Sequence, residues 1–248
     1  MKILIPNTIA LPLTADVETV VYDIDADVPD EHRDAEVLVV WHNSSSWLQH
    51  AARVLPRLQL VQALASGADA VLNAGFAADV RICSGRSLHD GPVAEHALAL
   101  ILSAVRRLDR LRDAQREHRW DDEFIDEQSA AETRALHTLS GARVTIWGFG
   151  SIASTLAPSL TALGAEVQGI ARTAGERSGF DVHADADATD VLADTDVLVS
   201  ILPATDETAD LFDAEVFAAL KPGAVFVNVG RGATVDEGAS VSYTHLRA

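Results

Sequence analysis

Gly148-Phe149-Gly150-Ser151-Ile152-Ala153 is the segment that most limits how this chain can fold. The apolar run Val144–Trp147 precedes it and the helical pattern Ile152–Leu163 follows, so two glycines one residue apart must turn a strand into a helix. The first glycine permits the tight turn and the second lets backbone approach a ligand closely. The small third position lets the helix lie on the strand. A helix N-terminus offers N–H donors and a positive dipole end, which is the chemistry that holds a pyrophosphate. Such a turn can also be purely structural. Between strand and helix it marks a dinucleotide site at Gly148, Phe149 and Gly150.

The same alternation extends over the chain. Strand Glu166–Ile170, helix Asp190–Ala193, strand Val197–Leu202, helix Ala214–Leu220 and strand Ala224–Val229 follow with short connections. Upstream lie the short apolar runs Lys2–Pro6, Glu18–Tyr22, Glu36–Trp41, Leu58–Gln62 and Val80–Cys83, with a helix over Ser44–Val54 capped by one of Ser44, Ser45 or Ser46. Strands alternating with helices imply parallel sheets covered on both faces, an α/β fold with two doubly wound lobes. Gly91-Pro92 opens the longest helical pattern, apolar on nearly every side and therefore expected to be buried in its first half, His96 included. It turns charged at Arg106 and leads to an acidic stretch, Asp121–Glu132, expected to be irregular. The resulting division is residues 1–90, a hinge helix and linker over 91–140, a second lobe over 141–239, and a tail over 240–248.

Composition narrows the function. The chain has 248 residues, enough for one or two domains, and 37 acids against 19 bases give a net charge of −18. Such a field repels nucleic acid and anionic membranes, so neither is expected as a partner. The single cysteine, Cys83, excludes a disulfide framework, and the nine histidines show no ligand spacing, so no metal is expected. No apolar run is long enough to span a bilayer, and Pro6 breaks the first apolar run too early for a secretory segment. A cytoplasmic location is the expectation.

Two further positions carry chemistry. The residue that reads the adenine ribose stands about 20 residues after the glycine loop. Here that region is Gly169-Ile170-Ala171-Arg172-Thr173, with no acid for the ribose hydroxyls. A guanidinium followed by a hydroxyl suits a 2′-phosphate instead, so NADP is favoured over NAD. Downstream, the apolar strand ends in Asn228-Val229-Gly230-Arg231-Gly232, which puts Arg231 at the cleft end of the sheet as a candidate anion clamp.

Four segments together resemble the D-isomer-specific 2-hydroxyacid dehydrogenases, the family of phosphoglycerate dehydrogenase and glyoxylate/hydroxypyruvate reductase. They are Ser66–Asp69, His89–Leu102, Val144–Ala153 with Leu202–Thr208, and Leu220–Asp236. The likeness runs over roughly residues 40 to 239. It implies a flavodoxin-like substrate lobe and a Rossmann NAD(P)-binding lobe, and hydride transfer between a nicotinamide and C2 of a small 2-oxo or D-2-hydroxy acid. By this resemblance the backbone N–H groups of Ser66 and Gly67 hold the substrate carboxylate, and Arg231 forks onto carboxylate and C2 oxygen. Ser151 and Ile152 offer N–H groups to the pyrophosphate, Leu202 and Pro203 wall the adenine, and Val229 and Gly230 approach the nicotinamide. A homodimer is implied for the full-length protein.

The likeness has two departures. Ala153 stands where the family usually has glycine. The family's catalytic histidine and its orienting glutamate lie well beyond the arginine, and the stretch Ser240–Ala248 fits neither the family nor a continued helix. The second lobe is therefore expected to be incomplete, with a non-native tail, and the chain to bind dinucleotide at best weakly and not to turn over. His245 is not expected to replace the missing base. A non-catalytic, corepressor-like dinucleotide-binding protein and an inactive fragment are the alternative readings.

Overall fold

The computed structural model describes residues 1–12, 17–131 and 133–245, with side chains through residue 241 of the last helix. It divides into two compact units, Met1–His89 and the chain from Asp90 onward. Among the described residues no helix is long and apolar enough to cross a membrane.

The first unit runs β1 (Lys2–Pro6), β2 (Glu18–Tyr22), β3 (Val37–Val40), α1 (Ser45–Val54), β4 (Leu60–Ala63), α2 (Asp69–Leu72) and β5 (Arg81–Cys83). Its five strands are all parallel, in the order β2-β1-β3-β4-β5, the flavodoxin-like winding. Ser44 caps α1, its Oγ accepting from Trp47 N at 3.1 Å. Leu4, Leu38 and Val61 are fully buried and pack with Leu48 and Ala51 of α1, each large aliphatic side chain contributing about 1.5–3 kcal/mol by leaving water.

The second unit begins with α3 (Asp90–Val105), α4 (Leu108–Arg116) and α5 (Asp122–Ser129). Then come β6 (Arg143–Trp147), α6 (Ser151–Ala162), β7 (Glu166–Ala171), β8 (Gly175–Arg177) and β9 (Phe180–Ala184). It closes with α7 (Ala188–Leu192), β10 (Val197–Ser200), α8 (Ala214–Ala219), β11 (Val225–Asn228) and α9 (Glu237–His245). The sheet order is β11-β10-β6-β7-β9-β8, parallel except for β8, which pairs antiparallel with β9. Alternate residues of β6 and β10 serve opposite faces. Val144, Ile146, Val197 and Val199 pack under α3 and α6, and Trp147 and Leu198 pack under α7 and α8.

Several expectations need correction. The antiparallel hairpin of β8 and β9 makes this sheet mixed rather than wholly parallel. The acidic stretch after Asp121 is helical, because Asp121 Oδ1 accepts from Phe124 N at 3.2 Å and the Phe124 ring is fully buried. The long helix stops at Val105, and Arg107, with φ 48°, separates it from α4. It is also one-sided. Ala94, Ala97, Ile101 and Val105 are buried at helical spacing, whereas His96 is exposed and Leu100 partly so. Finally, α9 continues unbroken past residue 239 to His245. The side chain of His245 and the last three residues of the expected tail, 246–248, lie outside the described residues.

Candidate functional site

In an open α/β sheet, ligands lie beyond the carboxyl ends of the strands where the winding reverses, which in the second unit is between β6 and β10. The loop after β6 carries Gly148 and Gly150. Gly148 has φ +100°, and an added Cβ would stand 2.6 Å from Ile201 O and 3.2 Å from Leu202 Cδ2. Only glycine fits that contact with the loop after β10. At Gly150 an added Cβ would meet nothing within 4 Å. The glycine there leaves open space in front of α6, whose N-terminus no side chain caps. Ala153 is fully buried between helix and sheet and so fills the small packing position.

The loop after β11 completes this edge. Gly230 abuts the backbone of Leu202, where an added Cβ would lie 2.5 Å from Leu202 O. Asn228 holds the turn from both ends: its Oδ1 accepts from Gly230 N at 2.9 Å and its Nδ2 donates to Arg231 O at 3.0 Å. Thr234 Oγ1 donates to the same carbonyl at 2.7 Å. Arg231 is half-buried, and its Nη1 donates to Gly230 O at 3.1 Å. Pro203 is exposed and Val229 half-buried.

Two connections escaped the sequence. Ser151 Oγ donates to the Asp90 carboxylate at 3.0 Å. Arg177, on β8, reaches back to donate to Phe149 O at 3.2 Å and to Thr173 O and Oγ1 at 2.9 and 3.0 Å. Phe149 itself turns its ring into the core against Gly169 and Phe180 and is 4% exposed, so only its backbone faces the loop. Arg172 and Thr173 are exposed. The glycine loop, residues 172–173, Leu202 and Gly230 thus share one sheet edge. Backbone donors, an uncapped helix N-terminus and room at Gly150 fit a pyrophosphate.

Another cleft in this unit, of about 570 Å³, is lined by Glu166, Asp181, Asp187, Asp190 and Asp194 together with Arg143 and His183, so that acids predominate. It lies at the amino ends of β6 and β7, and its carboxylates disfavour an anionic ligand. Among the described residues no group of three or more His, Cys, Asp or Glu is gathered as a metal site.

In the first unit, Ser66 and Gly67 follow β4 at its carboxyl end, Ser66 exposed and Gly67 half-buried. Their N–H groups bond no acceptor among the described residues. Just upstream, Gly85 N donates to Ala65 O at 2.8 Å, and His89 Nε2 lies 2.9 Å from Leu64 O. Trp41, just after β3, stacks with His42 and with His89 at ring distances of 4.5 and 5.3 Å. His42 holds a left-handed φ of 65°.

Residues 98–244 match the family model described as the D-isomer specific 2-hydroxyacid dehydrogenase NAD binding domain. The chain belongs to this family. It is 32% identical over 201 residues to the D-3-phosphoglycerate dehydrogenase of Mycobacterium bovis, across 78% of this chain and 36% of that protein. It is 29% identical over 217 residues to glyoxylate/hydroxypyruvate reductase A of Serratia proteamaculans, across 84% of this chain and 64% of that one. A solved D-isomer specific 2-hydroxyacid dehydrogenase family protein from Aeromonas salmonicida superposes with a TM-score of 0.78 at 27% identity, covering 99% of this chain and 77% of that one. The chain therefore spans about a third of the phosphoglycerate dehydrogenase it matches. The family match runs to residue 244, past residue 239, where the likeness read from sequence stops.

Proposed function

We propose that the second unit binds a nicotinamide dinucleotide at the carboxyl edge of its sheet, in the service of interconverting a small 2-oxo acid and a D-2-hydroxy acid. The observation that carries this reading is the uncapped N-terminus of α6 behind Gly148 and Gly150, with open space at Gly150. Ser151 and Ile152 donate their N–H groups to the pyrophosphate, and Gly148, Phe149 and Gly150 supply the close backbone. Leu202 and Pro203 wall the adenine, and Val229 and Gly230 border the nicotinamide. The cofactor, when bound, supplies hydride to C2 of the 2-oxo acid.

The chain's own residues orient the acid and hold charge. Ser66 and Gly67 donate backbone N–H groups to the substrate carboxylate. Arg231, its main chain fixed by Asn228 and Thr234, directs its guanidinium at the carboxylate and the C2 oxygen, so that the carbonyl is polarised as charge builds on oxygen. Arg172 and Thr173 favour NADP over NAD, since a guanidinium and a hydroxyl suit a 2′-phosphate where an acid would suit a free ribose. Glyoxylate, hydroxypyruvate and 3-phosphoglycerate-type acids are the proposed substrate class. A homodimer is the proposed assembly of the full-length protein.

The test is calorimetric titration of the chain with NADPH and NADH. NADPH binding that Arg172→Ala weakens selectively supports the reading. Absence of binding by either dinucleotide overturns it.

A further inference from the structure

Arg177 ties two loops of the candidate site together. Arg177 is half-buried and pairs with no carboxylate among the described residues, although acids outnumber bases by 37 to 19. Its guanidinium instead bridges two loops through neutral oxygens: Phe149 O in the glycine turn, and Thr173 O and Oγ1 after β7.

The bridge has a stereochemical consequence. A guanidinium only donates, so the 3.0 Å contact occupies a lone pair of Thr173 Oγ1 and leaves the hydroxyl hydrogen directed elsewhere. Among the described residues the Thr173 hydroxyl donates no hydrogen bond. The bridge biases the Thr173 hydroxyl hydrogen outward, beside the exposed guanidinium of Arg172. Such a surface matches a group made only of acceptors. Because the same Arg177 side chain grips Phe149 O, it also sets the distance between that surface and the turn in front of α6.

We infer that Arg177 is a positioning residue for cofactor discrimination: it orients the Thr173 hydroxyl and fixes residues 172–173 against the glycine turn, so that a dinucleotide bearing a 2′-phosphate is held at both its phosphate and its pyrophosphate. This rests on the proposed reading of Arg172 and Thr173 as the 2′-phosphate site. The β8–β9 hairpin then acts as a brace carrying a specificity determinant.

The experiment measures dissociation constants of the full chain for NADPH and NADH, with the variants Arg172→Ala, Thr173→Val, Arg177→Ala and the double variant of residues 173 and 177. Arg177→Ala is expected to weaken NADPH at least tenfold while NADH changes less than threefold. Thr173→Val is expected to cost little more in the Arg177→Ala background, because the two act as one unit. An equal loss for both cofactors, or none for either, overturns the inference while leaving the 2′-phosphate reading intact if Arg172→Ala still erases the preference. A parent chain with no NADPH preference overturns both. Should Arg177→Ala not fold, Arg177→Lys keeps the charge but cannot bridge both loops. It is expected to lose NADPH preference, and full retention of that preference would overturn the inference.

Discussion

Ser151 Oγ donates to the Asp90 carboxylate at 3.0 Å, joining the first residue of α6 to the first residue of α3. The carboxylate benefits from the positive ends of both helices. It also stands beside the N–H groups proposed to take the pyrophosphate, where it opposes a second anion. Asp90→Asn keeps an acceptor for Ser151 and removes the charge. Like charges about 4 Å apart cost about 1 kcal/mol even at the dielectric of water, so dinucleotide affinity should rise about fivefold. Calorimetric titration of the two proteins checks this, and equal or weaker binding by the variant would count against Asp90 facing the ligand.

Gly148 and Gly150 should separate stability from binding. Alanine at 148 meets both a left-handed φ and the Ile201 carbonyl, and the φ alone costs about 1–2 kcal/mol. Gly148→Ala is expected to lower the melting temperature and weaken dinucleotide binding together. Alanine at 150 meets nothing, and φ −105° suits any residue. Gly150→Ala should therefore melt within about 0.5 kcal/mol of the parent yet lose at least tenfold in dinucleotide affinity. Thermal melts alongside titrations decide it, and unchanged affinity for Gly150→Ala would remove the ligand from that space.

The strands β1 to β7, β10 and β11 are legible because buried parallel strands read as short apolar runs, and the glycine turn because the Ile201 carbonyl and a left-handed φ exclude other residues at Gly148. The β8–β9 hairpin is not, since Phe180, Val182 and Ala184 alternate with Asp181 and His183 inside an Asp- and Ala-rich stretch. The helix at Asp122 was hidden for a related reason: its one fully buried side chain, Phe124, sits among acids that an arginine elsewhere neutralises. The roles of Arg177 and Asp90 depend on contacts across 28 and 61 residues of sequence, which no local pattern encodes. His96 is exposed where the sequence suggests burial, because an apolar helix sequence does not say which side faces the core. Of the candidate site, the backbone elements were readable and the side-chain bridges between them were not.

Arg110 lies bidentate on Asp121, at 2.8 and 3.0 Å, and holds its carboxyl well below the usual carboxylate range. A depressed folded value means that the stabilisation is complete above the ordinary value of about 3.9 and falls away as pH drops towards the folded one. Asp121→Asn can still cap α5 but carries no charge to lose. The parent should therefore lose melting temperature more steeply than the variant between pH 5 and pH 2. Parallel slopes in thermal scans across that range would remove Asp121 as the source of acid sensitivity.

Gly85 gives the sharpest test of the first unit. A Cβ there would stand 2.0 Å from Leu64 O and 2.5 Å from Leu64 C, both backbone atoms that cannot swing aside. Alanine must push the segment after β4 outward, breaking the bonds from Gly85 N to Ala65 O and from His89 to Leu64 O. Overpacking of this kind costs about 1–3 kcal/mol, so Gly85→Ala should melt earlier than the parent. The displaced segment leads directly into Ser66 and Gly67, whose N–H groups are proposed to hold the substrate carboxylate. Glyoxylate binding to the NADPH-saturated chain should weaken at least tenfold. NADPH binding itself should hold, because every residue assigned to the cofactor lies in the second unit. A variant that melts early but binds glyoxylate as the parent does would take the carboxylate away from Ser66 and Gly67.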